Sequence, residues 1–234
     1  MQAQRHKFRF YQPLRWGALL LLSLFLLVLA GRWLYSELHF YQASKLIAQI
    51  NLSKAPIAPS AIDLIDSSLN RYQQASLVIR PAFYDYKVSV HLLRLTELND
   101  PSDRDFHLSH IQQWLALQTQ SFPDYPFVWV NNLRMVPLLE NSDSFDVFWF
   151  KGLHLARNNP LVNLELALTI NDLWPFLNRE QRLEALEIIE LGFSRTRRNA
   201  QTIHASLTDQ HTRRTVCLYL RAKQVINADV CKIN

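Results

Sequence analysis

The chain has 234 residues, with 25 Lys and Arg against 20 Asp and Glu, and only four glycines, at positions 17, 31, 152 and 192. Isolated glycines cannot build a Walker loop or a dinucleotide fingerprint, which excludes phosphate-cradling nucleotide enzymes of those types, and so few turns of free geometry argue against a hairpin-rich β domain. The positive excess comes from Arg5, Lys7, Arg9, Arg15 and Arg32, leaving 20 basic against 20 acidic residues after position 35, so the high pI is no argument for nucleic-acid binding.

Residues 16–31 read WGALLLLSLFLLVLAG, uncharged and with Ser23 as the only polar side chain. With residues 32–35 the segment reaches twenty residues, about 30 Å of helix, the thickness of a bilayer's hydrocarbon core. A helix satisfies every backbone polar group internally, as lipid requires. Trp16 at one end, and Trp33 and Tyr35 at the other, stand where amphipathic rings anchor a span. Arg32 is expected to carry its charge along its stem to the headgroups. The acid-free basic tail, 1–15, belongs in the cytoplasm by the positive-inside rule. The chain therefore reads as a tail at 1–15, a transmembrane helix at 16–35, a juxtamembrane helix and linker at 36–58, and a helical-repeat domain at 59–234 across the membrane. The alternative is a secretory signal cleaved after Val28-Leu29-Ala30. The aromatic belt and the helix-compatible sequence beyond it favour an uncleaved anchor.

Proline and cap residues punctuate the rest. Pro59-Ser60 precedes a helix over Ala61–Ile79 with Ser60 as cap, and Pro81 opens a segment to Leu98. Asp100-Pro101 starts a helix ending before Phe122. Pro126 opens Phe127–Leu139, Asp143 or Ser144 opens Phe145–Arg157, and Asn159-Pro160 opens a helix to Leu173, closed by Trp174-Pro175. Asn178 caps Arg179–Phe193 with Gln181 at the capping-box position, and Leu183, Leu186, Ile189 and Phe193 mark one apolar face. Short helices over Asn199–Ser206 and Thr212–Ile226 complete an all-α chain. Pro126 and Pro160 lie 34 residues apart, the tetratricopeptide period. The expected fold is a transmembrane helix followed by stacked antiparallel helix pairs, degenerate tetratricopeptide-like repeats, with an irregular bundle as the alternative.

No pattern in this sequence supports a catalytic residue, a cofactor or a metal. His107 and His110, with Asp103 and Asp105, share a helix but lack a third ligand at metal spacing. Asp63 with Asp66, and Glu187 with Glu190, read as exposed charge rather than paired acid and base. Tyr125, Trp129, Trp149 and Trp174 make the middle third aromatic, suiting either helix packing or contact with sugars and proteins. Arg195, Arg197, Arg198, Arg213 and Arg214, with Arg221 and Lys223, face a single acid, Asp209, and form the body's one charge asymmetry, a candidate contact for headgroups, an acidic glycan or a partner. Cys217 and Cys231 leave two alternatives open, one disulfide across a short loop or two free thiols.

The run FPDYPFVWVNNLRM, the run FDVFWFKGLHLARNNPLVNLELALTINDLWPFLNREQR, the following Arg-rich stretch and Cys217 resemble the VpsP-type accessory proteins of bacterial exopolysaccharide gene clusters. The likeness covers about 100 residues and rests on Tyr125-Pro126, Trp129, Pro160, Leu173-Trp174-Pro175 and Cys217, together with the short anchor. It departs at the turn before Pro160, where Arg157-Asn158-Asn159 replaces a turn expected to hold glycine and tryptophan. The resemblance implies a protein of the bacterial inner membrane, with its body in the periplasm and a tetratricopeptide-like fold. It further implies a non-catalytic role in making or exporting biofilm-matrix polysaccharide, through contacts with other synthesis or export proteins. Direct binding of the polysaccharide is the alternative, and a polysaccharide-modifying enzyme a more distant one.

Overall fold

The computed structural model describes residues 3–52, 57–96, 100–139 and 144–231, with side chains from Trp16 onward except at 51 and 52. The side chains of the basic tail, the linker at 53–56, and Asp143 as an alternative cap lie outside the described residues. Every regular element among those described is a helix, ten α-helices and two 3-10 turns, as the proline and cap spacing predicts. They gather into two compact units, Met1–Asp103 and Arg104–Asn234.

The first unit contains α1 (Ala3–Leu52), α2 (Pro59–Ala75) and α3 (Pro81–Leu95). Residues 16–34 of α1 are exposed, save the partly covered Leu29. From Ser36 the helix changes character without a break: Ser36, His39, Phe40, Ala43 and Ile47 are buried, a stripe at helical spacing. Ile62, Ile65, Leu69 and Tyr72 of α2 and Phe83, Val88 and Val90 of α3 complete this core. The sequence assigns α2 and α3 to the helical-repeat domain beginning at 59. They instead share a compact unit with α1, because α1 runs past the apolar span and offers them this stripe.

Two helix bounds also differ from expectation. Helix α2 starts at Pro59 behind Ala58, so Ser60 is not its cap, and it stops at Ala75 rather than Ile79. Tyr72 explains the early stop: its carbonyl accepts from the Ser76 amide, and its hydroxyl bridges the Val78 carbonyl at 3.2 Å and the Arg80 amide at 3.1 Å. Arg80 is extended, as the residue before Pro81 must be. Helix α3 ends at Leu95.

The second unit runs through α4 (Pro101–Ser121, whose first residues fall in the first unit), α5 (Phe127–Leu139), α6 (Phe145–Asn158), α7 (Pro160–Leu173), α8 (Arg179–Arg195), α9 (Arg197–Ser206) and α10 (Gln210–Ala222). From α5 to α9 each helix packs on its successor, and α7 also touches both α5 and α9. Pro126 and Pro160 stand at the starts of α5 and α7. The caps form as their residue types require: Asn159 accepts from the Leu161 and Val162 amides, and Asn178 and Gln181 make a reciprocal capping box. On α8 the buried face is Ala185, Leu186, Ile188, Ile189, Gly192 and Phe193, whereas Leu183 is exposed, a correction to the expected stripe. Covering by α7 and α9 on two sides displaces the buried arc away from Leu183. Gly192 lets α9 approach closely, since a Cβ there would stand 2.6 Å from the Ile203 Cδ1.

Candidate functional site

The second unit carries an open groove of about 530 Å³ between α4, α5 and α6. Leu115 and Val136 form its buried floor, and the half-buried Leu139 and Phe148 its apolar walls. Gln112, Thr119, Gln120 and Asn132 supply an uncharged polar rim, in which the Asn132 amide donates to the Thr119 hydroxyl at 3.1 Å. No lining residue is charged. Sequence reasoning missed this feature. The concavity arises only where α4 meets the α5–α6 pair.

The aromatic candidates lie inside. Trp129, Trp149 and Trp174 are each less than a tenth exposed. The Trp129 indole N–H donates to the Pro123 carbonyl and its face carries the Lys151 ammonium 4.0 Å from the ring centre. The Trp149 N–H donates to the Glu184 carboxylate at 2.7 Å, while Arg182 lies over Trp174. Tyr125 is half-buried against Phe127. These three tryptophans therefore hold helices together and offer no open ring face for stacking on sugar rings. Beside Trp149, the Phe150 ring is exposed, at 70%.

The basic stretch divides by role. Arg197 pairs with Asp229 at 2.9 Å, Arg213 donates from Nε to the Leu207 carbonyl at 2.6 Å, and Arg221 donates to the Cys231 carbonyl. Lys223 lies over the Tyr219 ring, so four cations of the seven make contacts within the body. Arg195, Arg198 and Arg214 are exposed.

Cys217 of α10 and Cys231 form a disulfide, resolving the open choice between bonded and free thiols. His204 brings a ring nitrogen within 4.8 Å of both sulfurs, the only group of three such ligand types among the described residues. With both sulfurs bonded to each other, no thiolate is available there for a metal. Burial, and then the nearby Arg213 charge, lower the His204 pKa below the usual imidazole value. His107 is buried and His110 packs on Phe106; they are not gathered with Asp103 or Asp105 into a ligand set. The acidic pairs are engaged structurally: Asp63 with Arg94, Asp66 with the buried Lys87, Glu187 with Arg157, and Glu190 with the Tyr219 hydroxyl.

The anchor residues behave in two ways. Trp16, Trp33 and Tyr35 project from α1 and are exposed. Arg32 does not simply reach outward; it donates from Nε to the Ala75 carbonyl at 2.6 Å and from a terminal nitrogen to the Gln74 carbonyl at 3.1 Å. It thereby satisfies the open end of α2 and places a positive charge at the negative end of its dipole.

The described residues define an all-helical protein with one candidate membrane-spanning helix near its amino terminus. No family model, curated protein or solved structure matches this chain.

Proposed function

We propose that this chain is a membrane-anchored, non-catalytic accessory protein that works by holding a partner protein, and that it serves exopolysaccharide synthesis or export at the bacterial inner membrane. The observation that carries the binding role is the groove between α4, α5 and α6, apolar at its floor and uncharged around its rim. Such a lining fits the apolar strip of a helix from another protein, flanked by neutral polar side chains, and selects against a charged glycan. The resemblance described above supplies the polysaccharide setting. The disulfide supports an oxidising compartment for the body, and the basic tail supports a cytoplasmic amino terminus; both favour a periplasmic placement of the body.

The test is cross-linking and affinity capture from cells making the full chain. The unaltered protein recovers polysaccharide synthesis or export components, and Ala116→Arg, at an exposed position on the groove, loses them while its helicity is unchanged. Recovery of none of them, with polymer production unaffected by deleting the gene, overturns the polysaccharide role. Equal capture by Ala116→Arg overturns the groove as the binding surface.

A further inference from the structure

The short connection between α2 and α3, Ser76–Arg80, carries two large apolar side chains with nothing over them: Leu77 is 63% exposed and Val78 75%. Neighbouring apolar residues of this unit, Tyr72 and Phe83, are buried almost completely, so the exposure is not a shortage of core. Several backbone groups of the loop and of the end of α2 have internal partners. The Val78 carbonyl accepts from the Tyr72 hydroxyl and from the Ser76 hydroxyl at 2.6 Å, the Arg80 amide donates to Tyr72, and the Ser76 amide donates to the Tyr72 carbonyl. The Gln74 and Ala75 carbonyls are taken by Arg32.

Those last two bonds fix the height of the loop. Arg32 lies three residues, about 4.5 Å of helix rise, before Tyr35, the end of the twenty-residue apolar segment, so the end of α2 is held within an arginine's reach of that limit. Leu29, one turn further toward the tail on the face of α1 that bears Arg32, is the one residue of 16–34 that is partly covered rather than exposed. Helix α2 therefore returns alongside α1 until its last turn reaches the level where the aromatic belt of Trp33 and Tyr35 sits. A loop at that depth favours apolar side chains and paired polar backbone; here Leu77 and Val78 supply the first, and the Val78 carbonyl and Arg80 amide are bonded internally. Arg71 and Arg80 flank it with cations suited to headgroup phosphates, Arg80 being also paired with Glu37 at 2.8 Å.

We propose that the α2–α3 loop is a second membrane contact, with Leu77 and Val78 entering the interfacial layer of the same bilayer that α1 crosses. This rests on α1 being a membrane span. Two attachment points would fix the tilt and rotation of the first unit on the surface, which one span alone leaves free.

The experiment places nitroxide labels, one at a time, on Val78→Cys, Leu77→Cys, Leu24→Cys and Gln49→Cys in the full chain, reconstituted in phosphatidylethanolamine–phosphatidylglycerol vesicles. Gln49 stands about 25 Å beyond Arg32 along α1 and serves as the water-facing reference. Collisions with oxygen report lipid, and collisions with a water-soluble nickel complex report water. The proposal expects labels at 77 and 78 to lose nickel collisions and gain oxygen collisions relative to 49, in the direction of 24. Lipid-like values at 24 with values at 77 and 78 equal to those at 49 overturn the loop contact and leave the span intact. Water-like values at 24 remove the span and the proposal with it. Exclusion of both reagents at 77 and 78 shows a second copy covering the loop and also overturns it.

Discussion

Arg32 and Ala75, 43 residues apart, are joined by a 2.6 Å hydrogen bond from the guanidinium to a carbonyl at the end of a helix. A charged residue at the edge of an apolar segment is usually explained by its stem reaching water. Here the same residue closes α2, so α1 and α2 share one structural joint.

Arg32→Ala leaves the Gln74 and Ala75 carbonyls without their partner. Faster amide exchange is expected across residues 74–80 in hydrogen-exchange mass spectrometry, with exchange in α8 unchanged. Arg32→Lys, which keeps charge but not the two-nitrogen geometry, should restore protection only in part. Unchanged exchange at 74–80 in Arg32→Ala would show the joint to be inert.

Lys87 is almost wholly buried and its ammonium is held by Asp66 at 2.8 Å and Asn70 at 2.5 Å. Removing the carboxylate strands a buried cation, a loss of roughly 3–5 kcal/mol for such pairs, whereas an apolar replacement of the cation is far milder. Asp66→Ala should therefore lower unfolding stability more than Lys87→Met in denaturant titrations. The opposite order would mean that the ammonium reaches water.

The disulfide closes a loop of 14 residues between α10 and Cys231. On the chain-entropy account, a loop of this size contributes about 3 kcal/mol. Reduction, or Cys217→Ser with Cys231→Ser, should lower the melting temperature of the body and expose the segment after Ala222 to protease. Identical melting curves with and without reductant would exclude the bond from the stability of this unit.

Burial first, and then its hydrogen bond to Glu190, push the Tyr219 phenol up to about 12. The unfolded chain loses that proton near pH 10, so between pH 10 and 12 the folded state binds more protons than the unfolded one and stability falls as pH rises. Tyr219→Phe should flatten that alkaline loss in pH-dependent melting. An equal slope in the variant would place the alkaline sensitivity elsewhere.

Much of the helical framework is legible in the sequence because its signals are local. Pro126, Asn159-Pro160 and the Asn178–Gln181 box each satisfy or replace amides within a few residues of themselves. The early end of α2 is not legible, because Tyr72 and Arg32 settle it from one turn and from 43 residues away. The roles of the tryptophans depend in the same way on distant partners: nothing near Trp149 announces Glu184 on α8. The groove escapes sequence reading altogether, being the space left between helices rather than a set of residues. The basic stretch looks uniform along the chain, yet Asp229 and two backbone carbonyls separate its structural arginines from Arg195, Arg198 and Arg214.

Everything functional proposed here depends on α1 residing in lipid. The direct measurement is alkaline carbonate extraction of cell membranes containing the full-length chain, with the amino terminus verified by mass spectrometry. The account predicts that the intact chain stays in the membrane pellet and enters solution only with detergent. Release of an intact chain by carbonate, or its recovery in the soluble fraction before extraction, would contradict it.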